Sequence, residues 1–172
     1  MKNALAHPKV VTLDALLRIL APLRSESQAD GGDNDKKIVF TNGCFDIVHP
    51  GHVDLLARAK KEGDILVLGL NSDASVRRQG KGDDRPFNTF EARAFVLAHL
   101  ESVDYVVEFD DDTPKALIDA ILPDVLVKGG DWPVEKIVGN DTVMKKGGKV
   151  LSLPLIDGYS TTNLAEKIRS IC

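Results

Sequence analysis

The sequence is poor in cysteine. Two occur in 172 residues, Cys44 and Cys172, far apart and with the second at the end of the chain. A disulfide framework is not expected, which suits a reducing cytoplasm. Long hydrophobic runs are missing as well. The opening stretch MKNALAHPKVVTLDALLRIL has no continuous apolar segment followed by a small-residue cleavage site, so neither a signal peptide nor a transmembrane segment is read. Charge of one sign is not segregated. The 22 basic and 26 acidic residues give a formal net charge of −4, with no one-sign block and no basic stripe. That argues against nucleic-acid and membrane-surface roles. There is no Gly-x-Gly-x-x-Gly after the first strand and no Gly-Lys-Ser/Thr, which disfavours an ordinary dinucleotide or P-loop site. A nucleophile elbow is absent too, and no base is placed to activate Cys44, so covalent chemistry is a poor fit. What remains is a soluble cytoplasmic domain, long enough for one sizeable core.

Thr12 to Leu23 reads as an amphipathic helix, capped by Thr12, with Asp14 in its first turn and Leu13, Leu16, Leu17 and Leu20 at helical spacing. The polar, glycine-containing RSESQADGGDNDKK then reads as a mobile linker. From Lys37 onward, strands and helices alternate. Strands are predicted at Ile38-Val39-Phe40, Ile65–Leu70, Val103–Phe109, Asp124–Val127 and Lys149–Leu153. Helices are predicted over Val53–Lys61, Phe90–Leu100, Pro114–Leu122, one or two short pieces in Val134–Lys146, and Thr161–Ile171. Such alternation implies an α/β fold with a five-stranded parallel sheet and right-handed crossovers. In open sheets of this kind ligands bind beyond the carboxyl ends of strands, at the point where strand order reverses.

Three of the loops after strands carry unusual chemistry. The first is FTNGCFDIVHPGH, Phe40 to His52. Gly43 permits close backbone approach, and Pro50 suits the first turn of a helix, whose unpaired N–H groups seat phosphate. His49 precedes that helix and His52 lies in its first turn, so both rings can reach one phosphate and steady charge on it. A lone histidine is usually a surface or satisfied core residue; two at this spacing favour function. A metal site using Cys44 as third ligand is the weaker functional reading, since a full zinc ligand set is not evident. The second loop is VKGGDW. Lys128 ends a strand and can neutralise phosphate, and Gly129 and Gly130 let backbone approach a ligand. The third is DGYSTT, where Ser160 or Thr161 is either a helix cap or part of a second anion seat. In the segment after the second strand, Arg77, Arg78, Lys81, Arg85 and Arg93 gather positive charge in a glycine-containing loop and the following helix. That charge is either solvated or a flexible clamp on an anion. Asn71 and Asp73 sit at the strand end, suited to bonding hydroxyls.

Taken together, TNGCFDIVHPGH, NSDAS, RPFNTFEAR, LPDVLVKGGDW and DGYSTTN resemble the nucleotidyltransferase superfamily marked by a His-x-Gly-His motif, here His49-Pro50-Gly51-His52. The chain is most similar to the branch that adenylylates D-glycero-β-D-manno-heptose 1-phosphate, which is often the C-terminal half of a protein fused to a sugar kinase. Here the domain is expected to stand alone, with residues 1–35 as N-terminal helix and linker and residues 36–172 as the nucleotidyltransferase domain.

The resemblance implies a doubly wound, Rossmann-like sheet of order 3-2-1-4-5. It also implies transfer of AMP from ATP, with Mg²⁺, to the sugar 1-phosphate, giving ADP-heptose for the lipopolysaccharide core. By the same resemblance, His49, His52 and Lys128 are catalytic. Thr41, Asn42, Gly43, Cys44, Phe45, Gly129, Gly130, Asp131, Ser160, Thr161 and Thr162 bind nucleotide. Asp46, Asn71, Asp73, Arg85 and Arg93 serve the acceptor, Arg93 matching a phosphate-binding arginine of related cytidylyltransferases. No resident metal ligand is implied. Glycerol- and choline-phosphate cytidylyltransferases place Arg-Thr-Glu-Gly before Ile-Ser-Thr, whereas Leu155 occupies that arginine position here. This favours ATP over the alternative, a cytidylyltransferase acting on a polyol phosphate. A homo-oligomer is expected, with the Thr12 helix available to its interface.

Overall fold

A computed structural model describes residues 5–25, 36–80 and 84–171. Lys81, Cys172 and most of the expected linker lie outside the described residues. The first strand, β1, is Val10–Val11, and helix α1 follows over Leu13–Ser25. The cap is as expected, Thr12 Oγ1 accepting from the Ala15 N–H at 3.2 Å. Next come β2 (Ile38–Gly43), α2 (Pro50–Lys60), β3 (Ile65–Asn71), α3 (Asp73–Arg78), α4 (Phe90–Ala98) and β4 (Tyr105–Phe109). The chain finishes with α5 (Lys115–Ile121), β5 (Val125–Gly129), a 3₁₀ turn at Val134–Lys136, α6 (Asn140–Lys145), β6 (Lys149–Leu153) and α7 (Thr161–Ile171).

All strand pairs are parallel, in the order β1-β4-β3-β2-β5-β6. From β4 to β6 this is the expected 3-2-1-4-5 order. The count differs: there are six strands rather than five, because Val10 and Val11 pair with Val106 and Val107 at the sheet edge. Two half-buried residues are too short for alternation to show. The second difference is α3, read from sequence as loop. Only Ser75 and Val76 of its six residues are buried, so it has no apolar period. Its start is set instead by Ser72, whose Oγ accepts from the Ser75 N–H at 3.0 Å.

Both faces of the sheet are covered, which is why its strands are nearly all apolar. Successive strand residues point to opposite faces. Val39, Leu66 and Leu68 pack with Leu55 and Leu56 of α2 and Leu97 of α4. Ile38, Phe40 and Val67 pack on the other side with Leu16 and Leu20 of α1, Ile118 of α5 and Val143 of α6. The N-terminal helix is therefore built onto the same sheet. Gly69 makes room for this packing: a Cβ there would sit 2.8 Å from Phe40 Cζ. No described helix is long and apolar enough to cross a membrane.

One feature of the pairing positions the site. β2 matches β3 over six residues, Ile38 to Gly43, but matches β5 only at Val39 and Phe40. Beyond Phe40 the two central strands part, and a crevice opens between their carboxyl ends.

Candidate active site

Past the end of β2 the chain turns at Phe45, whose φ of 45° is left-handed and unusual for a residue with a side chain. The turn folds the Phe45 ring back over Gly43, where a Cβ would lie 2.9 Å from the ring. The same ring meets His52, centroids 4.9 Å apart. Helix α2 then starts at Pro50, with His49 as its N-cap in extended conformation. The His49 carbonyl accepts from the His52 N–H at 2.9 Å and the Val53 N–H at 3.2 Å. One helical turn apart, the two imidazoles stack with centroids 3.7 Å apart and planes inclined by 18°. Gly51 permits this, since a Cβ there would be 3.2 Å from Cε1 and Nδ1 of His49. Burial lowers the His49 pKa below its ordinary 6.5, although a hydrogen bond to its own backbone pulls the other way.

The start of α7 faces the start of α2. Ser160 is its cap, Oγ accepting from the Asn163 N–H at 2.9 Å. Thr161 Oγ1 donates to the Ile47 carbonyl at 3.3 Å, tying α7 to the loop that carries the histidines. Two helix starts with partial positive charge thus converge on one place. Lys128, at the end of β5, reaches Asn42 Oδ1 at 3.4 Å across the crevice. Gly129 follows where a Cβ would collide with Leu55 and Leu155, at 2.6 and 2.9 Å.

These groups enclose a cleft of about 270 Å³. Its lining includes His52, Lys128, Thr161, Thr162, Arg85 and the Asn42–Asp46 loop, with Leu55 and Leu155 as an apolar wall. A second cleft, of about 440 Å³, shares Asn42, Gly43, Cys44, Lys128 and Gly129 and extends toward Gln79, Thr113 and Trp132. His49 stands beside the first cleft, its ring stacked on that of His52. Thr41 is wholly buried below the site. Gly130 has φ of 111° and Asp131 is exposed; neither lines either cleft.

The residues expected to serve the acceptor divide. Arg85 lines the first cleft, held by a buried ion pair with Asp46 at 2.8 Å. The Asp46 carboxylate also accepts from the N–H groups of Phe87 and Asn88, each at 3.0 Å. Burial by itself would raise the Asp46 pKa, but the hydrogen bonds from Asn88, Phe87 and Arg85 outweigh it and hold the carboxyl below its ordinary 3.8. Arg93 is 1% exposed and faces neither cleft. Its guanidinium donates to the carbonyls of Asn88 (3.1 Å), Cys44 (2.7 Å) and Asn71 (2.9 Å), and to Asp73 at 2.7 Å. Asn71 is buried, its amide donating to Ser75 Oγ at 2.9 Å. Asp73 and Arg93 are thus engaged with each other beneath the site. Arg78, part of the expected positive cluster, pairs with Asp112 at 2.8 Å and Asp110 at 3.6 Å.

Asn88 went unremarked in the sequence, yet it joins the two buried ion pairs. Its N–H and side-chain amide donate to Asp46, and its carbonyl accepts from Arg93. The sole hint was its place inside RPFNTFEAR. Cys44, the third ligand of the metal reading, has its Sγ 3.7 Å from Asn71 Oδ1 and 3.9 Å from Gln79 Oε1. Among the described residues no three His, Cys, Asp or Glu side chains are grouped to hold a metal ion.

Residues 40–167 match the family described as cytidylyltransferase-like. The chain is 49% identical over 168 residues to the bifunctional protein HldE of Syntrophotalea carbinolica, covering 98% of this chain and 34% of that protein. The protein of the same name from Geobacter metallireducens is 52% identical over 160 residues, covering 93% and 31% respectively. The chain therefore spans about a third of the length of these curated relatives. Among solved structures, a lipopolysaccharide core biosynthesis protein from Thermoplasma volcanium superposes with a TM-score of 0.59 at 26% identity, covering 73% of this chain and 99% of that one. Pantothenate synthetase from Thermus thermophilus has a TM-score of 0.60 at 16% identity, covering 91% and 67%, a likeness of fold alone.

Proposed function

The chain belongs to the cytidylyltransferase-like family, and from that premise we propose that it transfers AMP from ATP to D-glycero-β-D-manno-heptose 1-phosphate. The products are ADP-heptose and pyrophosphate, the former destined for the lipopolysaccharide core. The observation that carries this reading is the stacked His49–His52 pair at the start of α2, facing Lys128 across the parted strands. The motif resemblance supports the heptose acceptor, as does the likeness to a protein of lipopolysaccharide core biosynthesis. The choice of ATP rests on Leu155, which together with Leu55 gives the first cleft an apolar wall where the polyol-phosphate enzymes have arginine.

An anionic phosphate oxygen of the sugar 1-phosphate attacks the α-phosphorus of ATP in line. The new bond is P–O–P between sugar phosphate and AMP; the bond to the β-phosphate breaks, and pyrophosphate leaves with its electron pair. The nucleophile is already ionised, so no general base is required. The protein's task is positioning and charge stabilisation. His52 and His49 donate ring N–H groups to the phosphates, the starts of α2 and α7, Thr161 included, add backbone N–H groups, and Thr162 adds a hydroxyl. Lys128 supplies positive charge to the cleft, and Arg85, paired with Asp46, adds guanidinium N–H donors. Mg²⁺ fits this site as a companion of the triphosphate, since such ions keep several waters and bind substrate phosphates. Asp46, the acidic side chain on the first cleft, is already committed to Arg85. Bound there, the ion would neutralise charge on the leaving pyrophosphate.

The test is pyrophosphate release from ATP and CTP, each with heptose 1-phosphate and glycerol 3-phosphate. ATP with heptose 1-phosphate is expected to be fastest; faster turnover with CTP would overturn the choice of base. His52→Ala should reduce kcat by about a hundred- to a thousandfold, the usual effect of removing one charge-stabilising donor.

A further inference from the structure

The second cleft has a different chemistry from the first. Its volume of about 440 Å³ falls in the range of about 300–1,000 Å³ usual for small-ligand pockets. No histidine lines it; its neutral hydrogen-bonding side chains are Asn42, Asn71, Gln79 and Thr113, with Asp112 and Lys136 as further charged groups beside Lys128. At its edge stands Trp132, whose side chain is large and apolar yet leaves the residue 52% exposed. Val138, 39% exposed, lines the same cleft, so its mouth offers an apolar surface that a ligand can cover.

The main chain carrying the indole is fixed. The Trp132 backbone N–H donates to Ser152 Oγ at 2.9 Å, and that hydroxyl donates in turn to the Gly130 carbonyl. A Cβ on Gly130 would lie 3.0 Å from the indole Nε1, so the glycine both makes the turn and clears space for the ring. An exposed indole beside hydrogen-bonding groups matches a sugar, which has an apolar C–H face and a hydroxyl edge. Asn42 and Lys128 border both clefts. A ligand lying in the second cleft can therefore place an anionic end at this partition, next to the phosphates in the first.

We propose that the second cleft holds the ring of a pyranosyl 1-phosphate, stacked on the Trp132 indole, with its phosphate at the Lys128 partition. The proposal rests on the transferase reading above and adds to it a site for the acceptor. Asn71 lines this cleft and stays a sugar contact, whereas Asp73 and Arg93, engaged beneath it, give way to Trp132, Gln79 and Thr113.

Trp132 is the only tryptophan of the chain, so intrinsic fluorescence reports on this cleft directly. Heptose 1-phosphate and mannose 1-phosphate should each change the indole emission saturably, while inorganic phosphate should not. In the pyrophosphate assay Trp132→Ala should raise KM for the sugar phosphate about tenfold, the scale of one lost aromatic contact, and leave KM for ATP unchanged. Trp132→Phe should recover most of the loss, and Gln79→Ala should act in the same direction as Trp132→Ala. A rise in KM for ATP instead would assign the indole to the base and overturn the proposal. Unchanged KM values in Trp132→Ala and Gln79→Ala would overturn it too. If Trp132→Ala does not fold, Trp132→Phe and Gln79→Ala decide. If the wild-type chain turns over no sugar phosphate, the transferase reading falls separately. The fluorescence titration then decides the cleft, a saturable change upholding it and no change overturning it.

Discussion

Asp46 and Arg85 form an ion pair at 2.8 Å with side chains 3% and 8% exposed, at the wall of the first cleft. Two backbone N–H groups of the Phe87–Asn88 segment complete the carboxylate's hydrogen bonds. Removing one partner of a buried pair strands the other charge. Asp46→Asn should therefore lose about 3 kcal/mol of stability, measured by urea unfolding at neutral pH. The pH dependence has a definite sign. The folded-state carboxyl lies below its ordinary 3.8, so its contribution is present above that value and lost as pH falls through the folded-state value. The wild-type advantage over Asp46→Asn should shrink correspondingly in acid.

Arg93 provides the second prediction. A phosphate ligand would face a cleft, whereas Arg93 bonds the carbonyls of Cys44, Asn71 and Asn88 beneath both. Lysine keeps the charge but cannot reproduce the planar fork. Arg93→Lys should cost roughly 2–4 kcal/mol of stability, the range for breaking a buried hydrogen-bonded charge network. It should also lower kcat, because the Cys44 and Asn71 carbonyls lose their common anchor. Full stability combined with a raised KM for ATP would instead identify Arg93 as a ligand.

Gly51→Ala should separate folding from activity. Alanine is the better helix former, so thermal stability should hold or rise. Its Cβ, however, would press on the His49 ring from 3.2 Å. Displacing a catalytic group by a fraction of an ångström should reduce kcat/KM by roughly tenfold or more, since a 1 Å misplacement can cost about a hundredfold.

His49 should titrate below 6.5 in the free protein, because burial disfavours its charged form. The unfolded chain then binds the proton more readily than the folded one, so this residue should reduce stability as pH drops through 6.5. Proton NMR of the ring resonances gives the midpoint. Bound triphosphate, being anionic, should move it upward.

Much of the fold was legible because its signals are local. The apolar runs of β2, β3 and β5, the Thr12 cap and the Pro50 helix start all act within a few residues. The His49–His52 pair was legible for the same reason, since three residues make one helical turn. The unread features depend on distant parts of the chain. β1 exists only because β4 offers an edge to it. Arg93 reads in sequence as solvated charge or an anion-binding cation; folding brings it carbonyls from residues 44 and 71. Ser160 was ambiguous between cap and anion seat. It caps α7, while the Thr161 and Thr162 side chains beside it line the cleft. The second cleft could not be read at all, since α3, β5 and the 3₁₀ turn that border it are joined only by tertiary packing.

The early parting of β2 from β5 at Phe40 leaves the main-chain polar groups of Asn42, which point to the β5 side as those of Ile38 do, without a ladder partner in β5. Strand edges of this kind are templates that attract complementary partners. In the proposed complex this point of the chain would meet the ligand with the polypeptide itself, which no side-chain substitution can delete. Alanine scanning is blind to that portion of the affinity. Amide hydrogen exchange at Asn42, slowed when nucleotide occupies the crevice, would see it.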